Sequence, residues 1–385
     1  ARVGELEATQ FSTTTKLKAK ADWVFGAASF DGDAPAGFDE TASSGTSFSY
    51  NLALNLETSF TGKDLLYTRL RAGNMDNVYG GLFAQEYGFD SKNSVKIARM
   101  YYSFPVGDAF TVVGGPRIRM DDMLPVWPSA YPAAMTYDFF TYAGAPGAYN
   151  LALGAGAGVY WQSESGFSVS TSYLSTNGNS SCPNTEVATE QFIDEIAEGD
   201  GPEDIIDERS VGPCYAGGDF VGGGIGTDAA GSSATTQIAY ASDNWGIAAA
   251  YTYASGDNGV GLYEGNATPG GVAASYADTT DSIGVSAWWM PEESGWIPSI
   301  SAGYGGTWTE VVDNDVYTNS WYVGLEWSDV FLEGNSLGAA IGQPTWIADS
   351  DDGDLNEEAG FAYELFYKFQ VTDNISVTPA ITYLS

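Results

Sequence analysis

Three observations predict an all-β fold, an antiparallel transmembrane β-barrel of about sixteen strands. Apolar and polar residues alternate with period two along the whole 385-residue chain. The connections between the alternating segments are short and long by turns. Cations recur two residues apart: Lys16, Lys18 and Lys20, then Arg69 and Arg71, then Arg117 and Arg119. Residues i and i+2 of a strand share a face. Each run therefore charges one side of a strand and leaves Leu17, Ala19, Leu70 and Ile118 on the other. A charged face backed by an apolar one suits a wall between water and lipid.

The clearest strand covers residues 48–60. Phe48, Tyr50, Leu52, Leu54, Leu56 and Phe60 share one face, and Ser49, Asn51, Asn55, Glu57 and Ser59 share the other. Phe361, Tyr363, Leu365, Tyr367 and Phe369 alternate with Glu364, Lys368 and Gln370, and residues 375–383 repeat the pattern. In all, about fifteen segments have the length of a tilted membrane strand: 11–29, 46–60, 64–74, 94–105, 109–120, 150–163, 166–175, 233–242, 245–255, 280–290, 297–307, 317–328, 335–344, 360–370 and 375–385. Even strand numbers close a barrel without an exposed edge, hence the expectation of sixteen. Short connections such as 61–63, 105–108 and 371–374 read as periplasmic turns. Long ones at about 30–45, 75–93, 121–149, 176–232, 256–279, 308–316 and 345–359 read as extracellular loops.

Composition narrows the function. The net charge of −36 excludes a nucleic-acid partner, which needs a basic footprint. Residues 1–119 carry twelve Lys and Arg against thirteen Asp and Glu, whereas residues 120–385 carry two against 37. Without a single His, Ser-His-Asp catalysis is unavailable, and paired carboxylates carry no signal among 50 acids, so no enzyme is expected. Mean hydropathy is −0.14, as alternating strands require, and no apolar run is long enough for a spanning helix.

The segment from Leu6-Glu7-Ala8-Thr9-Gln10-Phe11 through Lys16-Leu17 resembles the start of the barrel in cyanobacterial outer-membrane porins, which are similar to the carbohydrate-selective porin family and often labelled iron-uptake porins. The resemblance continues through Asn55-Leu56-Glu57-Thr58-Ser59-Phe60-Thr61-Gly62-Lys63-Asp64, through Thr68-Arg69-Leu70-Arg71, and at Val371-Thr372-Asp373-Asn374-Ile375. It implies a sixteen-stranded, usually trimeric barrel that passes small polar solutes or inorganic ions, with iron or carbohydrate as selective alternatives. It also implies an N-terminal surface-layer-homology domain and a coiled coil that bind the cell wall. A tether between outer membrane and wall is then a further reading. On this basis residues 1–10 read as the end of a periplasmic linker or coiled coil, residues 11–385 as the barrel, and a closing strand is expected beyond Ser385.

Four sites follow. Lys16, Lys18, Lys20, Arg69, Arg71, Arg117 and Arg119 are expected to line the lumen. Arg99 joins them, although Lys96 in the same strand falls on the opposite face by parity. The alternative is that these cations only hold acidic loops in place. Residues 119–150 form the expected constriction loop, with Asp121, Asp122 and Asp138 facing the basic wall across a transverse field. The alternative is an outward loop at a subunit contact. Cys182 and Cys214 flank an acidic stretch in loop 176–232 and read as a disulfide, with free thiols as the alternative. Thr185–Glu198 in that loop reads as a short amphipathic helix. Residues 349–354 are acid-rich but fail the EF-hand pattern, so adventitious Ca2+ is the most they offer and no cofactor is expected. Trp23, Trp161, Trp288, Trp289, Trp321 and Trp327 suit interfacial girdles.

Overall fold

The structure is a computed structural model. It describes residues 14–29, 45–75, 85–132, 137–179, 224–227, 230–255, 279–293, 295–311, 314–350 and 359–385. Cys182, Cys214, Thr185–Glu198, residues 1–10 and most of loop 176–232 lie outside them.

Among the described residues, fifteen strands form one antiparallel meander. They are β1 (Thr14–Gly26), β2 (Ser47–Ser59), β3 (Leu65–Met75), β5 (Lys96–Val106), β6 (Phe110–Arg119), β7 (Leu153–Gln162), β8 (Phe167–Ser175), β9 (Ser232–Ala241), β10 (Trp245–Ser255), β11 (Thr279–Trp289), β12 (Ser299–Val311), β13 (Asn314–Ser328), β14 (Ser336–Ser350), β15 (Ala362–Thr372) and a last strand. The last strand comes in two pieces, β16 (Ile375–Val377) and β17 (Ala380–Leu384), both paired with β15 and separated at Pro379, which has no ladder donor. A two-residue strand, β4 (Phe89–Asp90), folds back onto the end of β3. Each segment read as a strand in the sequence forms one of the fifteen.

The strands carry apolar side chains outward and small polar ones inward. On β8 to β11, Phe167, Val169, Ile238, Ile247, Tyr251, Ile283 and Val285 are exposed. Their neighbours Ser168, Ser170, Ser172, Thr235, Gln237, Thr252, Ser282 and Ser286 are buried. This polarity is the reverse of a water-soluble sandwich and matches a wall with hydrocarbon outside. Leu52, Leu54 and Leu56 stand opposite Ala72, Leu70 and Thr68 on the outer face, and Arg69 and Arg71 point the other way.

What lies inside is the chain between β6 and β7. It touches the inner face of every strand from β5 to β15, which requires the sheet to wrap around it.

Short turns join the strands at one end. In the β2–β3 turn, Oδ1 of Asp64 accepts from Ser59 Oγ (2.8 Å), Phe60 N (3.0 Å), Thr61 N (2.7 Å) and Thr61 Oγ1 (2.7 Å). Tyr102 donates its hydroxyl to Oδ2 at 2.6 Å, tying the turn to β5. These bonds hold the Asp64 carboxyl well below the ordinary carboxylate range. At the other end one expectation is corrected: 308–316 is no long loop. β12 runs to Val311 and β13 starts at Asn314, because Trp308 and Tyr317 extend the alternating ladder beyond the neighbouring strands.

Candidate functional site

The chain enters the lumen at Arg119, where a short 3-10 helix, Met120–Met123, turns it inward. Pro125, Pro128 and Pro132 stiffen the next stretch. Its aromatic side chains then fill the barrel. Tyr131 meets Phe140, Tyr322 and Phe366 edge-on at centroid distances of 6.3, 6.4 and 6.1 Å. Tyr137, Phe139, Phe140, Tyr142 and Tyr149 are fully buried. Burial pushes the Tyr137 phenol up, and the Tyr149 phenol to about 12.

A buried backbone needs partners for its carbonyls, and the wall supplies hydroxyls. Ser286 Oγ donates to the Ala143 carbonyl (2.9 Å), Ser320 Oγ to Gly144 (2.8 Å) and Thr252 Oγ1 to Ala148 (2.6 Å). Gln237 Nε2 donates to the Tyr149 hydroxyl at 3.2 Å. The carboxylate of Glu364, itself 5% exposed, accepts from Tyr131 OH (2.9 Å) and Tyr137 N (3.2 Å). Close approach also needs small wall residues. A Cβ on Gly303 would collide with the Ala143 carbonyl oxygen, and Gly144 itself has φ +76°.

Facing this segment on β1, β2, β3 and β5 is the basic wall. Cross-strand register aligns Lys18, Asn55, Arg69 and Arg99 in one row, and Lys20, Ala53, Arg71 and Lys96 in the next. The parity conflict between Lys96 and Arg99 disappears at a β-bulge. Arg69 pairs with Arg99 but Leu70 pairs with Ile97, so Ala98 is the extra residue and both cations face inward.

The cations differ sharply in what neutralises them. Lys18 pairs with Glu57 at 2.7 Å and Lys20 with Asp22 at 3.2 Å. Lys20 also donates to the Tyr87 hydroxyl at 3.0 Å. Arg99, 7% exposed, donates through Nη1 to both oxygens of Asp122, and Arg119 makes a two-point contact with Asp121. Burial disfavours the Asp121 carboxylate, but the charge and hydrogen bonds of Arg119 outweigh it and lower the pKa. Arg71 makes no ion pair among the described residues, although the charge of Glu86 acts on it: its Nε donates to Asn51 Oδ1 at 2.6 Å and its guanidinium lies 4.2 Å from the Phe89 ring centroid. Arg69 has no hydrogen bond or ion pair among the described residues, and its Nε is buried. Lys16 stands opposite Glu57 in register, exposed, on the same face.

Two expectations change. Arg117 is not a neighbour of Arg119 on the inner face. Pro116 and Arg117 together oppose a single residue of β7, which turns Arg117 onto the outer face opposite Met100 and sends Ile118 (0% exposed) into the interior. Asp121 and Asp122 do not confront the wall across a gap; they contact it and cancel two of its charges. Asp138 bonds elsewhere, accepting from Tyr142 OH at 3.1 Å beside Glu86. Sequence reasoning missed Asn51, Asn55, Glu86 and Glu364, whose identities are ordinary for strand and loop positions. Of the acid-rich 349–354 stretch only Asp349 and Ser350 are described, and no group of three or more acids, Cys or His among the described residues is arranged to hold a metal ion.

Comparison with known proteins agrees with this architecture. Residues 217–385 match the model of the carbohydrate-selective porin, OprB family. Uncharacterized proteins of Synechocystis sp. and Nostoc sp. are 29% and 27% identical over 98% and 100% of this chain. The chain spans 66% and 64% of the length of these relatives. Among solved structures, OprB of Pseudomonas putida aligns with a TM-score of 0.58 at 11% identity, covering 99% of this chain and 91% of that one. An anion-selective porin from Comamonas acidovorans aligns at 0.52 and 11%, and the trimer form of OmpT from Vibrio cholerae at 0.52 and 11%, each covering 97% of this chain and 89% of theirs. With its inward-folded segment, its outward-facing apolar surface and these matches, the chain has the fold of the outer-membrane porin β-barrels, and its residues 217–385 are similar to the carbohydrate-selective porin, OprB family.

Proposed function

We propose that this barrel passes small hydrophilic solutes and inorganic ions down their gradients, and that anions are favoured at its narrowest part, between residues 120–152 and the basic wall. One observation carries the anion preference: four wall cations are ion-paired with carboxylates, whereas among the described residues Arg69 and Arg71 make no ion pair. At physiological salt, charge is screened beyond about 8 Å, so these two wall charges outweigh the acidic loops for an ion inside the bore. The anion-selective porin of the same fold supports the reading. The trimer form of OmpT supports a homotrimer here.

A second reading is a carbohydrate-selective channel, favoured by the description of the family that residues 217–385 match. Recording in planar bilayers under a salt gradient tests the first. The reversal potential is expected on the anion side, and Arg69→Glu is expected to move it toward cations. A cation-selective unmodified channel overturns the anion preference. Saturation of the current by a sugar supports the second reading.

A further inference from the structure

The two rows of the basic wall leave one pair of side chains unmatched. Arg69 of β3 and Asn55 of β2 are direct cross-strand partners on the inner face. Nε of Arg69 is a buried donor without an acceptor, and Oδ1 of Asn55 is a buried acceptor without a donor. They do not bond each other. Both atoms are closed off in this structure, so a ligand that bridges them enters as the Arg69 and Asn55 side chains part.

We propose that Arg69 and Asn55 form a binding subsite for an oxyanion that carries a hydrogen, of the hydrogen phosphate type. The inference rests on the anion-permeation reading and adds a ligand class to it. Its logic is donor-acceptor matching. Arg69 offers only donors and an uncompensated positive charge, so the ligand must bring acceptor oxygens and negative charge. Oδ1 of Asn55 offers only an acceptor, so the same ligand must also bring a donor. Chloride, nitrate and sulfate have no donor. A neutral hydroxyl compound has one but no charge. Hydrogen phosphate has both.

The surroundings favour occupancy. The nearby acids are already engaged, Glu57 by Lys18 at 2.7 Å and Asp122 by Arg99 at 2.9 Å, so their charge is offset where the anion sits. Arg71, two residues along the same face, adds a second positive charge. Its Nε is held by Asn51, which fixes its position.

The test uses the full chain in planar bilayers carrying chloride current, with inorganic phosphate or sulfate added at neutral pH. Phosphate is expected to reduce the chloride current saturably, at a concentration about tenfold below that needed with sulfate, the worth of about one hydrogen bond. Asn55→Leu is expected to remove the difference between the two anions, and Arg69→Gln to weaken both. Calorimetric titration of the detergent-solubilised protein with each anion reads the same preference without depending on conductance. Equal effects of phosphate and sulfate, or a phosphate preference that survives Asn55→Leu, overturn the subsite and leave anion permeation standing. A phosphate preference in a channel selective for cations keeps the subsite and overturns the permeation reading.

Discussion

Arg99 on β5 and Asp122 on the inward segment form an ion pair at 2.9 Å in which one guanidinium nitrogen donates to both carboxylate oxygens. The same carboxylate accepts from the backbone N–H of Arg119 at 2.9 Å, so it fixes the point where the chain leaves β6 and turns into the lumen. The pair thus joins wall, strand end and inward segment.

Breaking it by removing the acid leaves the buried Arg99 guanidinium without its hydrogen-bonded carboxylate, with only the charge of Asp121 nearby. Removal of one partner of a buried pair costs about 3 kcal/mol or more. Asp122→Ala is therefore expected to lower the unfolding free energy by that order, read as a fall in the urea midpoint. It is also expected to shift the reversal potential further toward anions, because one wall charge is uncovered. The two readouts separate the structural role from the electrostatic one.

Gly303 sets how closely the inward segment lies against β12. Any side chain there meets the Ala143 carbonyl oxygen, and the wall backbone cannot retreat without breaking the ladder with β11 and β13. Gly303→Val is expected to push residues 143–145 off the wall and to cost about 1–3 kcal/mol through overpacking. Single-channel conductance and the unfolding midpoint check this together: the midpoint falls and the conductance changes.

Glu364 anchors the segment from the far side. Its carboxylate serves a buried phenol and a buried backbone N–H at once. Glu364→Ala strands both donors, at about 1–3 kcal/mol for each unsatisfied group. The expected outcome is a lower unfolding midpoint together with larger current fluctuations in bilayer recordings, since Tyr131 and Tyr137 lose the anchor. Glu364→Gln keeps an acceptor for Tyr131 and is expected to lose less.

The strand pattern was legible because each strand has one lipid face, and period two is a direct image of that face. The basic wall was legible for the same reason in β1 and β3. It failed at Arg117, and left Arg99 unresolved, because a bulge inserts one residue and inverts the parity of everything beyond it. Pro116 was the available signal for the first bulge, since proline cannot donate to the ladder. Nothing in the sequence around Ala98 marks the second. Which cations are neutralised was also hidden: Asp121 and Asp122 are local to Arg119, but the partner of Arg99 lies 23 residues away and is set by how the inward segment packs.

Glu86 provides the last prediction. Its Oε2 and Oδ1 of Asp138 both lie 3.3 Å from the single hydroxyl of Thr141, which also donates to the Asp138 carbonyl at 2.8 Å. One hydrogen cannot serve all three oxygens, so a proton shared between the carboxyls relieves the crowding. Burial raises the Glu86 pKa well above its ordinary 4.5, the hydrogen bond and charge of Asp138 raise it further, and the charge of Arg119 opposes them. The folded chain therefore holds a proton that the unfolded chain has released. Stability from this group is fully present below pH 4.5 and is lost as pH rises through the raised value. Urea unfolding across a pH series is expected to show stability falling over that window in the unmodified protein. Glu86→Gln keeps a donor toward Asp138 without a titratable proton and is expected to flatten that part of the profile. An unchanged slope in Glu86→Gln would assign the pH dependence to a different group.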